Sequence, residues 1–291
     1  MYGAIGKNKR NTVLIMAAFI GLLGALGYVA SLYFGETSIA YWVIGGALVY
    51  TIIQYYAASK LAVAMTGAHE IQKKDNPRLY RIVENLSITT GMPTPKIYVI
   101  DDPAPNAFAT GRNPNKAIVA ATTGLMDILD DRELQGVMAH EMGHVKNYDI
   151  RVSMIAFGLV SAIGLLSDIA IRMMIFGGGR DRNANPVIMI VGVVLIILAP
   201  IIAAMIQMAV SRQREYLADA TGALTTRDSE GLASALEKLK SHSQPLQRQS
   251  SSTAHLFFSN PLKPGSFSKL FSTHPPLEER IKRLHKNANK F

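Results

Sequence analysis

The sequence predicts a mainly α-helical integral membrane protein that carries a small β-sheet. Three observations support this fold class: hydrophobic residues gather in four long blocks, three short segments have strand composition, and most of the remaining chain has helical spacing. Hydrophobic residues make up 49% of the 291 residues. Because about 20 apolar residues are needed to cross the core of a bilayer, the blocks predict about four transmembrane helices.

The first two hydrophobic blocks form a predicted pair of membrane spans. Residues 12–34 and 39–58 contain no charged side chain, and a four-residue turn separates them. A cleaved signal peptide is an alternative for the first block, since basic residues precede it at positions 7–10. The block is too long for the hydrophobic region of a signal peptide, and a second span follows at once. Residues 1–59 are therefore interpreted as an N-terminal transmembrane hairpin.

The other two blocks, residues 153–176 and 186–210, form a second predicted hairpin within residues 152–210. The later block has no charge. The earlier block carries Asp168 and Arg172, which are four residues apart and are interpreted as an ion pair or as side chains that extend to the membrane edge. A hairpin that is only partly exposed to lipid is the alternative. In both cases the chain returns to the side that it left.

The distribution of basic residues predicts the orientation in the membrane. Positive charges precede the first span and follow the second, within residues 60–78, whereas the turn at residues 35–38 has none. Since basic segments tend to stay in the cytoplasm, we expect the N-terminus and a domain formed by residues 60–151 and 211–291 to be cytoplasmic. The expected location is the plasma or inner membrane. The loop at residues 177–185 contains two arginines and departs from this pattern.

The net charge of +9 predicts contact with membrane lipid rather than with nucleic acid. The sequence has no basic stripe interleaved with aromatic residues and no groove-reading motif, so nucleic-acid binding is not expected. Attraction to anionic lipid headgroups accounts for the positive excess. The absence of cysteine excludes disulfides and cysteine-ligated zinc.

The predicted sheet lies between two helical parts of the domain. Residues 61–90 have helical spacing, with a break or a helix start at Asn76–Pro77. Residues 96–100, 106–112 and 116–121 have strand composition. An edge strand beside the next helix would bind an extended peptide through backbone hydrogen bonds. Such binding favours broad specificity for unfolded segments.

The most specific motif of the chain is His-Glu-Met-Gly-His at residues 140–144. We expect it on a helix that the Asp130–Asp131 pair caps. Residues four apart share one helix face, so His140 and His144 can bind one metal ion. Glu141 is the expected base that takes the proton of the attacking water, and the motif thus indicates a zinc peptidase. Two histidines that share a solvated helix face by accident are the alternative.

A third metal ligand is predicted in the sequence Ser-Arg-Gln-Arg-Glu-Tyr-Leu-Ala-Asp at residues 211–219. Glu215 and Asp219 are four residues apart. A ligating carboxylate and an acceptor for the free N–H of a ligand histidine can therefore share one helix face. From these residues alone, a solvated helix in which arginines pair with both carboxylates remains the alternative.

Taken together, the motifs resemble those of the HtpX family. The resemblance is carried by residues 140–144, Asn147, Asp149, residues 211–223, Thr273-His274-Pro275-Pro276 and Arg280. It extends over nearly the whole chain. It implies a membrane-embedded zinc metallopeptidase with a zincin-like domain, in which His140, His144 and Glu215 bind one Zn²⁺ and Glu141 is the catalytic base.

Further residues are expected to support this site. Asp219 would orient a ligand histidine by accepting the hydrogen of the ring nitrogen that does not bind the metal, and Asn147 is expected to support the ligands as well. His274, whose backbone is fixed by the two prolines that follow, is expected to hold the oxyanion of the tetrahedral intermediate. A histidine that only packs the C-terminal helix is the alternative for His274. The other histidines, including His255, have no motif context and are interpreted as ordinary polar residues.

The resemblance also implies a function in membrane-protein quality control. The expected substrates are misfolded or damaged membrane proteins and other unfolded polypeptides, cut on the cytoplasmic side. One alternative is a prenyl-protein processing metallopeptidase, which would be expected to have more spans. The other is a non-catalytic zinc-binding membrane scaffold, in which Glu141 would have no role and a closed site would be expected.

Overall fold

The computed structural model describes residues 2–158, 212–248, 250, 253–260, 275–286 and 288. Its helices are α1 (Tyr2–Phe34), α2 (Ser38–Thr66), α3 (Pro77–Thr90), α4 (Thr123–Ile128), α5 (Asp131–Lys146), α6 (Arg212–Thr226), α7 (Ser229–Ser241) and α8 (Leu277–Lys286). A further helix begins at residue 149 and is described to residue 158. Of the predicted second hairpin, only the first turns, up to residue 158, are among the described residues. His274 also lies outside the described residues.

Four strands form one mixed sheet, which confirms the prediction of a mainly α-helical chain with a small sheet. The strands are β1 (His69–Glu70), β2 (Lys96–Ile100), β3 (Ala107–Gly111) and β4 (Ala117–Thr122). They lie in the order β1-β2-β4-β3, with β2 parallel to β4 and the other pairs antiparallel. The sequence did not predict the short strand β1. Because β3 is the last strand in this order, it forms one edge of the sheet.

The N-terminal helices α1 and α2 pack against each other along their length. A Cβ atom on Gly27 would lie 2.8 Å from the Cβ atom of Val43, so the absence of a side chain permits this close approach. Within the described ranges, one helix has the length and hydropathy needed to cross a bilayer, and that helix is α2. Its surface presents large apolar side chains such as Trp42, which is 80% exposed. A surface of this kind requires a cover of lipid or protein.

Local sequence signals set the start of the helices that surround the site. The side chain of Asn76 accepts a hydrogen bond of 3.0 Å from the backbone of Leu79, and Pro77 occupies the first turn of α3. At the start of α5, Asp130 and Glu133 form a reciprocal capping box. Both helix starts agree with the sequence predictions. A cap of this kind stabilises a helix by about 1 kcal/mol.

The main hydrophobic core lies between the sheet and helices α3, α5 and α7. Leu134, Val137 and Met138 of α5 are fully buried there, together with Val119 of β4 and Leu236 of α7. Burying a side chain of this size contributes about 1.5–3 kcal/mol. Helix α5 is consequently held on several sides, and the motif in its last turns has a rigid support.

Candidate metal centre

Two glycines allow α6 to lie close against the motif-bearing helix α5. A Cβ atom on Gly222 would be 3.0 Å from the backbone nitrogen of His140, and one on Gly143 would be 3.4 Å from the carbonyl oxygen of Ala218. The distance at position 222 is shorter than most real Cβ contacts, whereas the distance at position 143 is an ordinary van der Waals contact. The close contact brings Glu215 of α6 beside the two histidines of α5.

Three side chains present their ligand atoms to one point. The Nε2 atoms of His140 and His144 lie 3.1 Å apart. A carboxylate oxygen of Glu215 lies 3.7 Å from the first nitrogen, and its other oxygen lies 3.5 Å from the second. Ligand atoms that surround a tetrahedral zinc ion at about 2.0–2.2 Å are about 3.3–3.6 Å from one another. The three residues therefore fit a zinc ion in both chemistry and spacing.

The remaining ring nitrogens are bound to buried aspartates. His140 Nδ1 lies 2.9 Å from Asp219 Oδ1, and His144 Nδ1 lies 3.0 Å from Asp149 Oδ2. An ionised carboxylate can only accept, so each Nδ1 carries a hydrogen, and on a neutral ring the Nε2 atom has the lone pair that can bind a metal. Both Nε2 atoms face the shared point, where a cation is the partner that satisfies them.

The pKa values of the two histidines differ because their surroundings differ. Burial lowers the pKa of His140 to about 4, against the opposing effect of its hydrogen bond to Asp219. Burial also acts on His144, but the hydrogen bond to Asp149 and the negative charge of Glu215 outweigh it and raise its pKa to about 9. At neutral pH and without a metal, His144 therefore carries a proton on Nε2 as well, and a bound metal cation would replace that proton.

Arg280 of α8 completes the environment of His140. It is fully buried and donates two hydrogen bonds to Asp219, from Nε at 2.9 Å and from Nη2 at 2.7 Å. Its guanidinium also lies 4.7 Å from the ring centre of Phe258. Burial raises the pKa of Asp219, but Arg280 and His140 together bring it down to about 2. Asp219 is consequently a permanent anion. The sequence motif included Arg280 without assigning this contact.

The side chain that contacts His144 Nδ1 is Asp149, and the supporting role expected for Asn147 stays a prediction. Asn147 ends α5, and its side-chain nitrogen and oxygen have no hydrogen-bond partner among the described residues. Tyr148 follows with φ of 62°, a left-handed conformation that turns the chain back. This turn directs Asp149 onto the ring of His144. The helical period does not extend past the end of α5, so spacing alone could not distinguish Asp149 from Asn147.

Glu141 lies in the same buried region as the ligand set. It is 3% exposed and lines a pocket with His144, Glu215 and Ala109. His255 lines this pocket too, and its Nε2 atom lies 3.0 Å from the backbone oxygen of Ser153. His255 is 5% exposed, so its position at the site is a finding that its sequence context did not predict.

Strand β3 forms the wall of the pocket and is the edge strand that the sequence predicted. One end of its outer edge is paired with the chain itself: Phe258 N donates to Ala107 O at 2.8 Å, and Phe257 forms a bridge with Phe108. Alternate residues of a strand direct their backbone groups to the same side. The N–H and C=O of Ala109 therefore point to the same outer edge, next to the pocket, and the bridge between Phe108 and Phe257 places the N–H opposite Leu256.

Comparisons with known proteins place the chain in a family. The model of peptidase family M48 matches residues 73–288. A protease HtpX homolog from Tropheryma whipplei is 57% identical over 291 residues, which is the whole of both chains. A protease HtpX homolog from Ligilactobacillus salivarius is 45% identical and covers 98% of this chain and 99% of its own.

A solved structure has a similar fold. The crystal structure of S. mikatae Ste24p superposes with a TM-score of 0.52 at 20% identity, over 98% of this chain and 67% of that chain. At this identity the similarity concerns the fold. The family match and the full-length relatives show that the chain belongs to peptidase family M48 and, within it, to the HtpX proteases.

Proposed function

We propose that the protein is a membrane-bound zinc endopeptidase that hydrolyses unfolded segments of misfolded or damaged membrane proteins on the cytoplasmic side. The observation that carries this proposal is the convergence of ligand atoms from His140, His144 and Glu215. Three ligands leave a coordination position open, as hydrolysis requires, whereas a structural site is normally closed by four. Membership of a peptidase family agrees with this chemistry.

The ligand set and Glu141 divide the chemical work. When bound, a zinc ion supplies a Lewis acid and lowers the pKa of a coordinated water to about 7. Glu141 accepts the proton of the attacking water on its carboxylate and then delivers it to the nitrogen of the leaving amine. Its burial beside the ligands excludes bulk water from this transfer. We also propose that His274 donates to the oxyanion, since the prolines that follow it restrict its backbone.

The outer edge of β3 is the proposed binding site for the substrate backbone. Ala109 directs its N–H and C=O toward this edge and lines the pocket with Glu141. A peptide that pairs with Ala109 would lie across the ligand set with its backbone toward the base. Pairing of this kind reads extended shape more than side-chain identity. Unfolded polypeptides of varied sequence are the substrates that it favours.

The proposal includes four membrane spans with both termini in the cytoplasm. The long helices α1 and α2 and the apolar surface of α2 support the first hairpin. The charge-free block at residues 186–210 supports the second. Because the ligand-bearing helices α5 and α6 lie on either side of this second hairpin in the sequence, an even number of crossings returns Glu215 to the side of His140.

The test of this function compares the full chain, solubilised in detergent, with Glu141→Gln. The expected result is about one zinc per chain in both proteins, with casein and an unfolded membrane protein cut by the wild type alone. Glu84→Gln on the outer side of α3 is the matched control and should cut both substrates normally. If wild type and control bind zinc but cut neither substrate, the scaffold alternative replaces the peptidase. Preferential cleavage of a farnesylated peptide would favour prenyl-protein processing instead.

A further inference from the structure

The first helix of the chain reaches the metal centre through Asn8. This side chain is 3% exposed, although it lies in a segment whose sequence indicates only a membrane helix and its basic flank. Its Nδ2 atom donates to the backbone oxygen of Asn147 at 2.8 Å and to Asp149 Oδ1 at 2.6 Å. Both amide hydrogens are thus directed at the turn that follows α5, which lies about 140 residues farther along the chain.

Asp149 connects this contact to a proposed zinc ligand. Its Oδ1 atom accepts from Asn8, while its Oδ2 atom lies 3.0 Å from His144 Nδ1. With one oxygen held on each side, the buried carboxylate cannot rotate without losing a hydrogen bond. The orientation of the His144 ring follows from the orientation of this carboxylate.

Two neighbours of Asn8 in α1 also contact residues close to the metal centre. Lys9 Nζ lies 4.9 Å from the ring centre of Tyr148, in the same turn. With its amide oxygen turned toward Arg214, Asn11 accepts a hydrogen bond of 3.3 Å from the guanidinium. Arg214 precedes the ligand Glu215 directly. Helix α1 therefore contacts both of the segments that deliver ligands.

We propose that Asn8 is a positioning residue that holds the His144 ring in its orientation through Asp149. Zinc affinity then depends on the contact between helix α1 and the turn after α5. This inference rests on the proposed zinc site. Without the Asn8 amide, the buried Oδ1 atom of Asp149 loses its short hydrogen bond and keeps only the longer contact with Arg214 Nε at 3.6 Å, toward which the carboxylate would turn. The ring of His144 would then lose its preset direction, and zinc would have to order it on binding.

The test measures the zinc dissociation constant of the full-length apoprotein in detergent, by competition with a chromophoric chelator. Removal of a hydrogen bond that orients a metal ligand typically weakens metal binding about 10- to 100-fold. Because Asn8 acts through one intermediate residue, we expect the lower value, about tenfold, for Asn8→Ala. Thr12→Val is the matched control, since the Thr12 hydroxyl donates only to the Asn8 backbone oxygen, at 2.9 Å, within α1. It should bind zinc like the wild type.

A double-mutant cycle separates positioning from a general loss of stability. If Asn8 acts through Asp149, Asn8→Ala should change zinc affinity less than about twofold in an Asp149→Ala background. The same tenfold loss in both backgrounds would overturn the proposal. Asn8→Ser, which keeps a polar but shorter side chain, is measured in the same way and replaces Asn8→Ala if that variant does not fold.

The outcomes distinguish this inference from the function on which it rests. Normal zinc affinity in both Asn8 variants, with zinc bound by the wild type, would overturn the role of Asn8 and leave the zinc peptidase intact. Failure of the wild type itself to bind zinc would overturn the proposed function and this inference together. The absorption spectrum of the cobalt-loaded protein provides a second readout, because a misdirected His144 ring changes the ligand field while a distant structural change does not.

Discussion

The Nε2 atoms of His140 and His144 lie 3.1 Å apart and face each other. The tautomers follow from the aspartates behind the rings, which hold the hydrogen on Nδ1. The Glu215 carboxylate places a negative charge beside both nitrogens, and the raised pKa of His144, about 9, shows that the site holds a proton there. A divalent cation would replace this proton and satisfy all three ligand side chains.

Removal of the metal should destabilise the protein as well as stop proteolysis. A ligand that binds only the folded state stabilises it by about 2.7 kcal/mol at a concentration 100 times its dissociation constant. We therefore expect a strong chelator to lower the thermal midpoint and added zinc to restore it. The measurement is thermal unfolding of the detergent-solubilised chain. A midpoint that is the same with and without zinc would contradict the assignment of the ligand set.

Asp219→Asn should weaken zinc binding by about 10- to 100-fold. The amide can present its nitrogen to His140 Nδ1 and favour the wrong tautomer, and it removes the anion that strengthens the imidazole as a ligand. Zinc affinity measured by chelator competition tests this expectation. Asp127→Asn, at an exposed position of α4, is the control. Equal affinity in the two variants would show that Asp219 does not orient the ligand.

Arg280→Leu should act on stability more than on zinc affinity. The substitution leaves Asp219 buried with one of its two partners missing, and breaking a buried pair in this way costs about 3–5 kcal/mol. The hydrogen bond between Asp219 and His140 remains, so zinc binding should change less than in Asp219→Asn. Thermal unfolding of the zinc-free protein measures the loss. The exposed Lys282→Ala on the same helix should change stability by less than about 0.5 kcal/mol.

Gly222→Ala should separate the two ligand-bearing helices. The added Cβ atom would lie 3.0 Å from the backbone nitrogen of His140, so α6 must move away from α5. We expect a stability loss of about 1–3 kcal/mol from overpacking and weaker zinc binding, because Glu215 moves with α6. Gly45→Ala in α2, where a Cβ atom would meet no atom within 4 Å, is the control. If zinc affinity survives in Gly222→Ala, the helix spacing does not set the ligand geometry.

Acid should weaken the structure that supports α5 through Glu133. Burial raises the pKa of this carboxyl, but hydrogen bonds from Lys238 and Ser234 and its role in the capping box bring it below its ordinary value. Since the pKa is lower in the folded state, the stabilisation is complete above the unfolded pKa of about 4.3 and is lost as the pH falls through the folded value.

Glu133→Gln tests this pH dependence. The variant should be less stable than the wild type at neutral pH, and the difference should shrink as the pH is lowered below about 4. Thermal midpoints recorded over this pH range provide the measurement, with Glu84→Gln as the control. A constant difference between wild type and Glu133→Gln at every pH would contradict the prediction.

Much of the local structure could be predicted because its signals are local. The strand prediction for residues 96–100 matches β2, and the predicted starts of α3 and α5 match their caps at Asn76 and Asp130. The spacing of His140 and His144 required only the helical period. Glu215 was found through a motif of its own, before any contact was known.

The contacts behind the ligands could not be predicted in the same way. Asn147 and Asp149 both belong to the motif, and it is the left-handed turn at Tyr148 that brings Asp149 to His144. Arg280 reaches Asp219 from the last helix, and Asn8 reaches Asp149 from the first. Hydrogen bonds between residues so far apart in the chain produce no regular spacing in the sequence by which they could be recognised.

The sequence predicted the chemistry of this protein through local motifs: a His-His-Glu ligand set, a glutamate as base, and segments apolar enough to enter a membrane. The directions in which the ligand side chains point depend on tertiary contacts, which the sequence did not reveal. Direction depends on the packing of α1, α6 and α8 around α5, which combines glycine contacts, buried charges and the end of a helix. These contributions are small and distant in the chain, and they act together only once the core has formed.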